Sequence, residues 1–292
     1  MADGAPPSPE AVFVGAAIAR AVGALVARST LDDIDPGAVT LVGLAAAAIV
    51  LVAVAIIRRS SRDADAVDSG AGARSPRFAV VALGVAIGAT AVCTALALDR
   101  LPAREASALL FVGPILLAAS RVRGALHAAA VALAAIGVVL VAGLHNGDGR
   151  ATSLLLGGSV AWALLIVAGH RVAIETRSAS GLAGALVIAA LFATPFGVGH
   201  IDDVVDQPRV LVIACVVGVL VAAIALSLEL HVLGRVPADR FGLLVVLVPV
   251  VTGFFAYVAL DETPTAPDIA GAVVIVAAVV IDGVRRSPKW AD

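Results

Sequence analysis

The sequence predicts an all-α polytopic membrane protein: ten transmembrane helices built as two inverted five-helix repeats, with both termini in the cytosol. Three observations lead there. Apolar runs of about 17 to 25 residues recur along the 292-residue chain, the length that crosses a hydrocarbon core at about 1.5 Å per residue. Hydrophobic residues make up 61% of the chain and charged ones 14%, and the mean hydropathy of +1.05 lies outside the range of water-soluble domains. Finally, RLPAREASALLFVGP (Arg100 to Pro114) and RVPADRFGLLVVLVP (Arg235 to Pro249) repeat one another, and each ends on a proline inside a membrane-length apolar stretch.

In chain order the runs place spans at 11–27, 37–57, 78–98, 106–120, 124–143, 152–173, 180–197, 210–232, 241–260 and 267–284. The opening MADGAPPSPE lacks the basic region of a secretion signal, so the first run is expected to be a retained helix. The second and third spans are joined by 58–77, a mixed-charge stretch rich in Gly and Ser that reads as a solvated cytosolic linker. In the fourth span Pro114 withholds a backbone N–H from the Leu110 carbonyl, and in the ninth Pro249 does the same to Val245. Such freed carbonyls must be satisfied by neighbouring helices or by water in a cavity, because lipid offers no donor. His145-Asn146-Gly147-Asp148-Gly149 forms a tight turn at the junction. The first repeat is therefore 1–143, the second 152–284, and 285–292 is a cytosolic tail.

Orientation follows from the basic residues, which concentrate on cytosolic segments. With the N-terminus inside, fourteen of the twenty fall on cytosolic segments and five on outer loops, while Arg20 lies within the first span. Five spans per half is an odd number, so the second half inserts upside down relative to the first. That geometry, with a helix-breaker at the matching place in each half, points to alternating access around a midplane site.

Several classes of function are excluded. A net charge of −2 gives no bulk attraction to nucleic acid. Cys93 and Cys215 sit inside apolar runs at positions that are not repeat mates, and read as small buried residues. No HExxH, CxxC, Walker, GxSxG or GxGxxG element occurs, so neither a metal, a cofactor nor an enzymatic activity is expected.

Candidate functional residues are the polar groups that apolar spans carry at a cost. Arg20 sits in the middle of the first span, where a guanidinium costs about 2.5–3.5 kcal/mol and must face protein or water. There it would hold a substrate carboxylate through two hydrogen bonds, or else pair with a structural acid. Glu229 and His231 close the eighth span; either would carry a coupled proton, and the plainer reading is an interfacial pair of solvated or Arg-paired groups. Pro114 and Pro249 are expected to open the backbone and permit bending. Thr252 and Tyr257 share the ninth span and offer hydroxyls, with a threonine bonded to its own preceding turn as the plainer alternative. Asp282 reads as an interfacial partner of Arg285 and Arg286, and His127 and His170 as interfacial. Gly84 and Gly88 form GxxxG, a close-packing surface for a helix of this chain or of a second copy in a homodimer.

Several of these pieces resemble the EamA family of the drug/metabolite transporter superfamily, and within it the threonine/homoserine exporter branch. They are GGSVAWALLIVAGHRV in the sixth span, SLEL at Ser227 to Leu230, RVPADRFGLLVVLVPVV, LDETPT at Leu260 to Thr265, and PAREASALLFVGP in the first half. The resemblance implies a ten-helix carrier that exports small polar metabolites, typically amino acids, from the bacterial cytoplasm, driven by protons. It also implies a cavity wall at Trp162, whose plainer role is an interfacial anchor, and a mouth or gating role at Glu262. The chain departs from the family in three places. Gly43 stands where an arginine is frequent, Leu110 where a glutamate precedes the FxGP motif, and Ala91, Val92, Thr94 and Ala95 where Asn and aromatic residues are usual. Thr94 is the hydroxyl left in that stretch and is counted among the substrate-binding candidates. The expected partners are thus a small-molecule substrate, protons and the lipid bilayer. The alternative is a carrier-fold accessory subunit without transport.

Overall fold

The computed structural model describes residues 8–31, 34–63, 77–98, 103–120, 122, 124–142, 149–176, 179–260 and 264–285, and these contain helices and no strand. Helix α1 (Pro9–Thr30) starts where the Ser8 hydroxyl accepts from the Ala11 N–H, with Pro at the first helical position. Helix α2 (Pro36–Asp63) opens the same way, the Asp35 carboxylate accepting from the Ala38 N–H at 2.8 Å. It continues to Asp63, so the beginning of the expected linker is helical; 64–76 lie outside the described residues. Then come α3 (Arg77–Leu98), α4 (Ala103–Ala119) and α5 (Ala125–Ala142).

The second half begins with α6 (Gly149–Thr176) and α7 (Ala179–Gly197). A single 3-10 turn (Val198–His200) and the short α8 (Ile201–Val205) lead into α9 (Pro208–Gly218). A π-helical segment (Val219–Ala225) joins α9 to α10 (Leu226–Leu233) without interruption. The expected ninth span is divided into α11 (Ala238–Val245) and α12 (Val248–Leu260). At the start of helix α13 (Ala266–Arg285) the Asp268 carboxylate accepts from both the N–H and the hydroxyl of Thr265. Eight helical stretches are long and apolar enough to cross a bilayer, and two further apolar helices, Leu109–Ala119 and Ala125–Val141, are shorter.

The halves interleave. Helix α3 packs on α6 and α7, and the continuous α9–α10 packs on α1 and α2. The third apolar segment of each half thus rests on the first two of the other. Helices α5 and α13 pair along their length. Their crossing is reciprocal: a Cβ at Gly137 would meet the Gly271 carbonyl and Ile275, and one at Gly271 would meet the Gly137 carbonyl and Val141. With lipid outside as apolar as leucine, such contacts come from close packing of small residues. Gly84 and Gly88 serve this end within the chain, lying against the Ala185 and Ala189 carbonyls of α7. Where the helices meet, the core gathers around Phe13, Phe111, Trp162 and Phe241.

Candidate functional site

Arg20 of α1 and Glu229 of α10, separated by 209 residues, form an ion pair between the two halves. Nε and Nη2 of the guanidinium both donate to Oε1 of Glu229, at 3.0 and 2.7 Å. The Glu229 side chain is 2% exposed, that of Arg20 21%, so the pair is approached from the arginine side. Oε2 of Glu229 is buried and has no hydrogen-bond partner among the described residues. Beside the pair lies Trp162 of α6, with the guanidinium carbon 5.8 Å from the ring centroid, within cation–π range. Phe111 of α4 packs against Trp162 at 5.0 Å. Four helices, two from each half, therefore converge on one charge pair.

The π segment helps to aim Glu229. A π turn accommodates an extra residue, and without it everything downstream would be rotated by about 100° around the helix axis. Glycines let α1 approach the segment and α2 approach the end of α9 just before it. A Cβ at Gly23 would lie 2.5 Å from Val221, and one at Gly218 would lie 2.3 Å from the Gly43 Cα. At Gly43 itself the fit is tight, a Cβ there lying 3.2 Å from the Gly218 Cα. The guanidinium at this crossing of the halves is that of Arg20.

The other candidates are distributed more widely. Thr94 is half-buried on α3 and donates to the Thr90 carbonyl at 2.7 Å, one turn back. Thr252 is half-buried on α12, while Tyr257 on the same helix is 50% exposed. His231 is exposed, although Glu229 two residues earlier is buried. Pro114 is buried within α4, and Pro249 lies just beyond the break between α11 and α12. Glu262 lies outside the described residues.

Three polar contacts between helices, two of them buried, escaped the sequence reading. His127, near the start of α5, is fully buried against other helices, and its Nδ1 lies 3.0 Å from Oδ1 of Asp282. Asp282, expected to pair along its own helix, thus reaches across to α5; Arg286 and the side chain of Arg285 lie outside the described residues. His170 is half-buried, with Nδ1 2.7 Å from the Leu233 carbonyl. Ser159 accepts a hydrogen bond from the Gly113 N–H where α4 crosses α6. The signal available for all three was a polar side chain inside an apolar run.

The profile of the EamA-like transporter family matches residues 8–143 and 149–281, nearly the whole chain. The threonine/homoserine exporter RhtA of Salmonella typhimurium is 28% identical over 223 residues, covering 74% of this chain and 75% of that protein. RhtA of Escherichia coli K12 is 28% identical over 210 residues, with 70% and 71% covered. A crystal structure of a protein 18% identical in sequence superposes with a TM-score of 0.74 over 95% of this chain and 96% of that one, a likeness of fold.

Proposed function

The chain belongs to the EamA-like transporter family, and from that premise we propose that it exports small polar metabolites, amino acids of the threonine/homoserine type, across the bacterial cytoplasmic membrane. The observation that carries this reading is the Arg20–Glu229 pair, its carboxylate buried with one oxygen left over. An amino acid is itself an ion pair. Its carboxylate would replace Oε1 of Glu229 on the guanidinium, and its ammonium would take Oε2, so that both protein charges stay compensated. A ligand with only one charge leaves one of them bare. Stripping a buried ion of its partner costs about 3–5 kcal/mol, a discrimination of a hundredfold or more. Trp162 and Phe111 offer the apolar wall for the substrate side chain.

Protons would enter the cycle at Glu229. A protonated carboxyl no longer compensates Arg20 or an ammonium, so proton and substrate compete for one group and exchange across the membrane. The interleaved halves and the reciprocal α5–α13 crossing support two inverted five-helix repeats around a pseudo-two-fold axis, the geometry of alternating access. In this reading all ten apolar segments span the bilayer and both termini face the cytosol. Counterflow of labelled threonine and homoserine into proteoliposomes tests the proposal. Uptake should exceed that of protein-free vesicles, and Glu229→Gln should abolish its pH dependence. A panel of amino acids, amines and sugars that all fail to enter would sink it. The accessory-subunit reading draws on the self-satisfied ion pair and on the apolar groups at Gly43 and Leu110; Arg20→Ala separates the two, since only a carrier has transport to lose.

A further inference from the structure

Glu10, Phe13, Ala17 and Arg20 recur along α1 at spacings of three and four residues, so they share one face of the helix. Each polar or aromatic member of that face meets the second half. Glu10 pairs with Arg240 of α11, Phe13 meets Phe241 of α11 edge to face at 5.5 Å, and Arg20 pairs with Glu229 of α10. Helix α10 ends at Leu233 and α11 begins at Ala238, so the turn between them lies at the end of the molecule where α1 starts. Along α1 the rings sit about 10 Å short of Arg20, and the Glu10–Arg240 pair about 5 Å further out. Exposure follows the same order. The side chains of Glu10 and Arg240 are 41% and 21% exposed, Phe13 and Phe241 are at 0%, and the Arg20 side chain beyond them is at 21% again. Two accessible zones are thus parted by two rings. A cavity of about 40 Å³, large enough to hold water, borders Glu10, Arg240 and Asp282 and neither ring. Backbone does not fill this place: α1 packs on α10 and α12 but reaches α11 chiefly through side chains. The fixed joints of the fold are made differently, from glycine against backbone, as at Gly137 and Gly271.

We infer that Phe13 and Phe241 form an apolar plug, with Glu10 and Arg240 as its latch, that closes the path between the Arg20–Glu229 pair and the membrane face at which α1 starts. Two rings in edge-to-face contact offer water no hydrogen-bonding partner, and an apolar constriction of this kind keeps out water and ions by dewetting. The half-exposed ion pair outside is a weak contact, so the rings carry most of the closure. Phe13 belongs to the first half and Phe241 to the second, and side chains can part without breaking any backbone hydrogen bond. The role of the plug rests on the export reading: a solute from this face reaches Arg20 and Glu229 only when the latch releases and the rings move aside. Without the plug, water would enter beside the buried Glu229 carboxylate and weaken its hold on Arg20.

The barrier can be read without any solute. In full-length protein in lipid nanodiscs, with Cys93→Ala and Cys215→Ala, the substitution Ala17→Cys puts a thiol on the same face of α1, one turn beyond Phe13, where Ala17 is 1% exposed. A charged methanethiosulfonate reagent should label that thiol slowly while both rings are present. Phe13→Ala should speed the labelling about tenfold or more, and Glu10→Gln by a few-fold. A second arm uses only the half-exposed latch, so it serves where Phe13→Ala fails to fold. In Glu10→Cys/Arg240→Cys on the same cysteine-free background, a reducible reagent that bridges the two thiols should stop counterflow in proteoliposomes, and reductant should restore it. Labelling that is as fast with both rings in place as in the variants, or a bridged protein that exchanges at its unbridged rate, would overturn the inference. The two readings fail separately. Absence of counterflow in the wild type counts against export and leaves the labelling result standing, and fast labelling of the parent removes the plug whatever is transported.

Discussion

Helix α4 runs unbroken through Pro114, while the helix that carries Pro249 is cut into α11 and α12, although the two prolines close equivalent fifteen-residue stretches. The surroundings account for the difference. Pro114 is buried where α4 is pinned on two sides: Gly113 lies against the Ser159 backbone of α6, and Gly242 of α11 lies against the Pro114 carbonyl. Helix α11 is held as firmly. Phe241 meets Phe13 of α1 edge to face at 5.5 Å, and Arg240 pairs with Glu10. Past the break the constraints fall away, and Phe254, Tyr257 and Val258 are at least half exposed. At the break itself the chain tightens into 3-10 turns, with Val246 and Leu247 donating to Leu243 and Leu244. A proline in a packed helix is tolerated, then, and the equivalent proline at the edge of packing goes with a break.

Four substitutions test the contrast, taken from the largest expected effect down. Gly113→Ala places a Cβ 2.0 Å from the Ser159 carbonyl oxygen, and overpacking of this kind costs about 3 kcal/mol or more. The Tm in detergent should drop sharply, and an unchanged Tm would mean that α4 is not pinned. Gly242→Ala meets the Pro114 carbonyl at 2.7 Å and should cost about 1–2 kcal/mol by the same measurement, since this overlap is the smaller of the two. Pro249→Ala returns a donor to the Val245 carbonyl and favours a continuous helix; counterflow should slow several-fold while Tm holds or rises. Pro114→Ala regains one hydrogen bond in a helix that is already formed. Its effect should stay within about 1 kcal/mol, with transport unchanged. If Pro114→Ala slowed transport as much as Pro249→Ala, the two prolines would be equivalent and the hinge would not be confined to the second half.

The candidate site was legible in parts. Arg20 stood out in the sequence because a guanidinium in mid-span must find a partner, and Glu229 because a carboxylate in an apolar helix must too. Their meeting was not legible, because it depends on a π segment that rotates Glu229 and on glycines that let α1 and α2 approach it. His127 illustrates the limit from the other side. Its neighbours in sequence are apolar, its partner is 155 residues away, and distance along the chain to a membrane face says nothing of what lies across the helix.

By itself the sequence determined the solvent this chain folds in, the places where helices run, and the positions where backbone or charge would need help. Those are local matters, settled by apolar length, by a missing N–H, and by the cost of an ion in hydrocarbon. Only the tertiary structure decided which need was met by which partner: Arg20 by Glu229, His127 by Asp282, Pro114 by tight packing and Pro249 by a break. The physical reason is that in lipid a polar group is satisfied by whatever another helix brings to it, and the small residues at the crossings decide which helices come close enough.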